Sequence, residues 1–208
     1  GAAARKTAFL KAVGSIAWAT RNCFPECAVG VNMMSRQMLA PSEEAMKCAY
    51  HMIAYMYGAR HQGIVYRKVE TPTFIGYYDA SNKPDPVDGK AMAGHVLFLG
   101  HSPLEWRAQR LPHVGQSAQH NEYMELSRAC KATIWLRQLL TEMGFGSWIK
   151  EPTVLLGDND AATTLAHEDI VSLGNRFYTK DIHYSKEQIK NGNIDARRVP
   201  TDDNLADG

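Results

Sequence analysis

Between residues 74 and 157 the sequence changes its periodicity twice, and the order of those changes limits the fold more than any other feature. "FIGYYDAS" (74–81), "GHVLFLG" (94–100) and "LEWRAQR" (104–110) are short runs of strand-forming composition. "KPDPVDGK" lies between the first two, dense in turn residues, and predicts a hairpin loop. "NEYMELSRACKATIWLRQLLTEMG" then places Tyr123, Leu126, Cys130 and Ile134 along one face of a long helix that Gly144 ends. "TVLLGDND" returns to a strand. A helix from about Asn159 to His167, a helical stretch over 184–191, a strand at "NIDARRVP" and the opening of a final helix at "TDDNLADG" complete the order. Strands interleaved with helices in this way build an open α/β sheet.

Upstream of this region, residues 1–63 read as helical. In "PSEEAMKCAYHMIAYMYG", Ser42 is the expected N-cap, Glu43 and Glu44 suit the first turn, and Gly58 is the expected stop. Met46, Ala49, Tyr50, Ile53 and Tyr57 are expected on one buried stripe, and a shorter helix is expected between Glu26 and Leu39. The predicted domains are therefore a helical segment, 1–68, and an α/β domain, 69–208. The near-neutral net charge of +1 conceals a division between them: residues 1–68 carry nine Lys/Arg against three Asp/Glu. A basic part beside an acidic part suits a polyanion-binding surface next to a metal-binding cleft.

No apolar run approaches the roughly 20 residues that cross a bilayer, and the N-terminal stretch lacks the apolar core of a signal peptide. The expectation is a chain without membrane contact. Four cysteines, Cys23, Cys27, Cys48 and Cys130, form no secreted framework and fit a reduced intracellular setting. Cys23, Cys27, Cys48 and His51 lack the paired spacing of a zinc module, so buried thiols on helix faces are the better reading.

Four acids fall where α/β proteins gather their sites, at strand ends and helix termini. Asp79 is near the end of the first strand, Glu122 in the first turn of the long helix, Asp158 at the tip of "TVLLG", and Asp207 at the start of the final helix. Each alone reads as a turn or dipole residue. Together they would repel one another unless a cation offsets them, and oxygen ligands alone suit Mg²⁺ or Mn²⁺. Calcium in "DNDAATTLAHED" is excluded, because Ala162 and Thr163 stand where an EF-hand loop needs a ligand and a glycine.

"GYYDAS", "MAGHVLFLGHSPLEWRAQRLPHV", "SAQHNEYMELSRACKATIWLRQLL", "VLLGDNDAA" and "VPTDDNLAD" together resemble the ribonuclease H domain of copia-type retrotransposon polyproteins. "FLKAVGSIAWATR", "VNMMSRQMLAPSEEAMKCAYHMIAYMYG" and "GIVYR" resemble the segment joining reverse transcriptase to ribonuclease H in the same polyproteins. The resemblance implies a ribonuclease H-like mixed five-stranded sheet flanked by helices, preceded by a small helical connection segment. It implies cleavage of the RNA strand of RNA–DNA hybrids, two Mg²⁺ ions (or Mn²⁺), an upstream reverse transcriptase domain as partner, and residence in a cytoplasmic virus-like particle or the nucleus. The family's acidic tetrad falls on Asp79, Glu122, Asp158 and Asp207. Asp79 is expected to bridge the ions, Glu122 and Asp158 to favour one, and Asp207 the other.

Candidates for contacts to the hybrid are Ser81, Asn82, Ser117, Gln119, Asn159 and His183, with Arg60, Arg67 and Lys68 tracking phosphates. The departures are His120 and Asn121 before Glu122, a loosely matching run at 176–187, and a chain that reaches Asp207 with the last helix cut short. The chain reads as a piece of something longer. The alternative function is a domesticated, catalytically silent module that holds nucleic acid or supports assembly.

Overall fold

The computed structural model describes residues 1–70, 72–81, 88–115, 117–160, 164 and 179–207. The chain divides into two compact units, Gly1–Val65 with Trp106–Ala108, and Tyr66–Glu105 with Gln109–Asp207.

In the first unit, α1 (Ala2–Asn22) begins in an alanine-rich run and buries Phe9, Val13, Ile16 and Thr20, which recur at helical spacing. A 3₁₀ turn (Pro25–Cys27) leads into α2 (Ala28–Ser35). α3 (Glu43–Gly58) starts where the sequence places it, with the Ser42 hydroxyl accepting from the Ala45 N–H at 3.0 Å. Its buried stripe differs from expectation. Ala45, Ala49 and Met56 are buried and Met46 and Met52 pack beside them, whereas Tyr50, Ile53 and Tyr57 are exposed. Small alanines let α3 sit close to Phe9, Val13 and Ile16, while tyrosines keep their hydroxyls in water.

The second unit holds a five-stranded sheet in the order β3-β2-β1-β4-β5, where β1 is Phe74–Ala80, β2 Met92–Leu99, β3 Ser102–Arg110, β4 Thr153–Gly157 and β5 Ile194–Arg198. β1 pairs antiparallel with β2, and β1–β4 and β4–β5 pair in parallel, so the sheet is mixed. The parallel step from β1 to β4 requires a long crossover, which α4 (Ala118–Glu142) supplies. α4 packs Leu126, Ala129, Cys130, Leu136 and Leu140 against Phe74, Tyr78, Leu97 and Leu155. α5 (Thr179–Lys190) precedes β5. Gly76 is required between two leucines: a Cβ there would lie 2.5 Å from Leu97 Cδ2 and 2.6 Å from Leu155 Cδ2.

The strands and α4 agree with the sequence reading, and the expected mixed five-stranded sheet flanked by helices is present. Three positions change. α4 begins at Ala118 rather than near Asn121, so Glu122 stands in its second turn. Residues 201–207 form a 3₁₀ turn (Thr201–Asp203) followed by irregular chain, and no α-helix opens there among the described residues. The helix expected over 159–167 lies largely outside the described residues.

Candidate metal centre

Register brings two of the acids together. Tyr77 of β1 is the parallel partner of Leu156 in β4. Side chains alternate along a strand, so Asp79 and Asp158, each two residues further on, emerge at the same end of neighbouring strands and toward the same side. α4 supplies the third. The Ser117 hydroxyl caps it by accepting from the His120 N–H at 3.1 Å. Packing of α4 on β1 then lets Glu122 Oε1 accept from the Ala80 N–H at 3.1 Å. One carboxylate oxygen from each of Asp79, Glu122 and Asp158 lies within 4.8 Å of the others.

Such crowding alters the acids. Burial, then the charges of Asp158 and Asp207, push Asp79 up to about 6. Burial and then Asp79 push Glu122 up to about 8. Glu122 is 3% exposed, and its Oε2 is buried without a hydrogen-bond donor. Asp158 Oδ2 accepts from the Thr201 hydroxyl at 3.0 Å. A buried oxygen without a donor, beside two further carboxylates and no soft ligand, fits a hard divalent cation. The residues present therefore suit Mg²⁺ or Mn²⁺.

Asp207 is exposed and stands outside the group of three, though its charge reaches Asp79. It is placed by Asn204 rather than by a helix terminus. The buried Asn204 side chain donates to the Tyr78 carbonyl at 3.1 Å and accepts from the Ala206 N–H at 3.1 Å, and its own carbonyl accepts from the Asp207 N–H. That clasp ties the segment to β1, one residue before Asp79.

The remaining candidates divide. The Ser81 N–H donates to the Met92 carbonyl at the end of the β1–β2 ladder. Ser117 spends its hydroxyl on the cap, Gln119 is half-buried in the first turn of α4, and Asn159 is half-buried next to Asp158. His183 is exposed on α5. Asn82 lies outside the described residues. The four cysteines are free, Cys27 and Cys130 buried as expected but Cys23 and Cys48 exposed, and the acidic trio is the metal-ligand group found among the described residues. Sequence reasoning passed over Asn204 and a buried cluster of His95, Glu105 and Glu125. The available signal was Glu125, an acid set directly beside the apolar stripe of α4.

No family model matches the chain. The retrovirus-related Pol polyprotein from transposon RE1 of Arabidopsis thaliana is 29% identical over 183 residues, 88% of this chain. The corresponding protein from transposon TNT 1-94 of Nicotiana tabacum is 22% identical over 202 residues, 97% of this chain. Its homologues are Pol polyproteins of copia-type transposons. The chain spans 12% of the length of the first of these Pol relatives and 15% of the second. Among solved structures, an RNase H1 isolated from compost aligns over 65% of this chain and 90% of its own, with 17% identity and a TM-score of 0.49. No helix among the described residues is long and apolar enough to cross a membrane.

Proposed function

We propose that this chain is a ribonuclease H-type nuclease that hydrolyses the RNA strand of RNA–DNA hybrids during retrotransposon reverse transcription. The observation that carries the reading is the convergence of Asp79, Glu122 and Asp158 within 4.8 Å, with one Glu122 oxygen buried and unpartnered. Homology to copia-type Pol polyproteins supports the same activity.

Asp79, Glu122 and Asp158 would hold Mg²⁺ or Mn²⁺, with Asp207 contributing from the edge. Divalent ions in such a site supply an activated water and stabilise the leaving oxygen of the scissile phosphate. The chain's own part is to preorganise the ligands. The Ala80 N–H fixes one oxygen of Glu122, Thr201 fixes one of Asp158, and Asn204 brings Asp207 toward Asp79. The raised proton affinity of Glu122, about 8, means that a cation must displace its proton to bind at neutral pH, whereas Asp79, at about 6, is already largely ionised there. In this reading residues 1–68 are the connection to an upstream reverse transcriptase domain, and their basic side chains track phosphates.

The test is incubation of the chain with an RNA–DNA hybrid carrying labelled RNA, in Mg²⁺ or Mn²⁺, beside Asp158→Asn. Metal-dependent RNA cleavage by the parent, reduced at least about a hundredfold in the variant, is the expected result. The exposed position of Asp207 on a turn favours a second reading, a silent module that binds hybrid. Hybrid binding by both proteins with cleavage by neither would establish that reading and end the first.

A further inference from the structure

His95 is 4% exposed, on β2, directly across from Tyr78 of β1. Its ring meets a carboxylate at each nitrogen. Nδ1 is 2.6 Å from Glu125 Oε1, and Nε2 is 2.9 Å from Glu105 Oε2, an ion-pair distance. Glu125 is completely buried, and its second oxygen accepts from Arg128 at 3.3 Å. The three-carboxylate centre does not require any of these groups as ligands. A carboxylate buried this deeply is costly unless it is paired.

Glu125 follows Glu122 by three residues, so the two lie on neighbouring positions of one helix face. They are attached to adjacent strands. Glu122 grips the Ala80 N–H on β1, and Glu125 grips His95 on β2. In the ladder, Ala80 pairs with Ala93 and Tyr78 with His95, so both anchor points belong to one rigid piece of sheet. The apolar face of α4 sets its rotation only as closely as side-chain packing allows, and two polar attachments at its N-terminal end refine it where one would leave a slight roll. Burial weighs against a charged His95, yet Glu105 and Glu125 outweigh it and hold the ring up to about 9. Both ring nitrogens therefore carry protons at neutral pH and donate toward acids.

We propose that His95 is a positioning residue: by clamping Glu125 to β2 it sets the rotation of α4 and thereby seats the Glu122 carboxylate on the Ala80 amide, where it completes the acidic centre. The effect on cation binding rests on the nuclease reading, whereas the clamp itself does not.

Amide hydrogen exchange at Ala80, followed by NMR, reads the seat of Glu122 without any metal. His95→Leu should raise exchange at Ala80 by about tenfold or more relative to Leu155 in the sheet centre. His95→Asn, whose side-chain amide can replace the Nδ1 donor to Glu125, should keep Ala80 protected. Protection in His95→Leu within about twofold of the parent, or equal loss in both variants, would overturn the proposal. Should His95→Leu fail to fold, Glu125→Met, which removes the acceptor while keeping the length, decides: raised Ala80 exchange supports the clamp and unchanged exchange ends it. Mn²⁺ binding by calorimetry is the separate arm. The parent should bind, and His95→Leu should bind about tenfold more weakly. A parent that binds no Mn²⁺ would sink the nuclease reading and leave the Ala80 result to judge the clamp.

Discussion

Glu122 shows how one side chain reports the state of the whole centre. Its folded proton affinity lies near 8 against an ordinary 4.5, and that of Asp79 near 6 against 3.8. Between those limits the folded chain binds more protons than the unfolded one, so stability of the metal-free protein falls as pH rises. His95 adds to the same trend, because a raised imidazole stabilises below 6.5 and loses that contribution as pH climbs through about 9. The expected result in chelator is a thermal midpoint that drops steadily from pH 5 to pH 8. Glu122→Gln should flatten that slope, and Mg²⁺ or Mn²⁺ should restore stability at the alkaline end. A flat profile for the parent would contradict these proton affinities. At Asn204, the change to alanine strips the Tyr78 carbonyl of its buried donor, and a loss of about 1–3 kcal/mol in urea unfolding is expected. Asp79 and Asp158 were legible at strand ends because strand tips announce themselves, whereas Glu122 stands a turn deeper in α4 than expected and Asp207 opens no helix among the described residues. Asn204, His95 and Glu125 were not legible, because a polar residue next to an apolar stripe looks solvated until the opposing strand is known.

Among the elements, α4 and the strands were readable because each carries a single dominant periodicity. α3 was misread because it carries two. Ala45, Ala49, Met52 and Met56 recur as regularly as the expected Met46, Ala49, Tyr50, Ile53 and Tyr57, of which Ala49 is buried and Met46 packs beside it while the other three are exposed. Close helix packing selects the smaller residues, which a hydrophobicity count undervalues. The last helix was expected because "TDDNLADG" reads as a helix opening, yet the segment is shaped by one asparagine bound to a strand carbonyl. β4 offers a sharper test. A Cβ on Gly157 would sit 2.4 Å from Tyr78 Cζ, on the core side of the sheet and one residue before Asp158. Gly157→Ala should cost about 1–3 kcal/mol through overpacking and displace Asp158, weakening Mn²⁺ binding along with stability. An alanine variant with parental stability would mean that Tyr78 yields easily.

At the scale of the molecule, two separate cores serve two differently charged pieces. Phe9, Val13, Ile16 and Met34 centre the first unit, and Tyr78, Leu97, Leu126 and Leu155 the second. The first unit takes in Trp106–Ala108 as well as Gly1–Val65, an inclusion for which the sequence carries no local signal. If the basic segment follows a hybrid's backbone, its affinity must depend on salt. Replacing Arg67 and Lys68 by alanine should lower the slope of log affinity against log salt by about 0.9 for each phosphate no longer neutralised. Fluorescence anisotropy at several salt concentrations measures this, and identical slopes would remove those side chains from the binding surface.

The pairing of Tyr77 with Leu156 also governs which changes in length a lineage can survive. Codons added between Gly144 and Glu151 would disturb Ile149 and the carbonyls that Arg137 binds, yet leave unchanged the side on which Asp158 emerges. One codon gained or lost within Thr153–Gly157 would turn Asp158 to the opposite side of the sheet while leaving every downstream residue in frame. Such an allele would keep its reading frame, yet it would turn Leu155 out of the core and take the third carboxylate from the acidic centre, all by three bases.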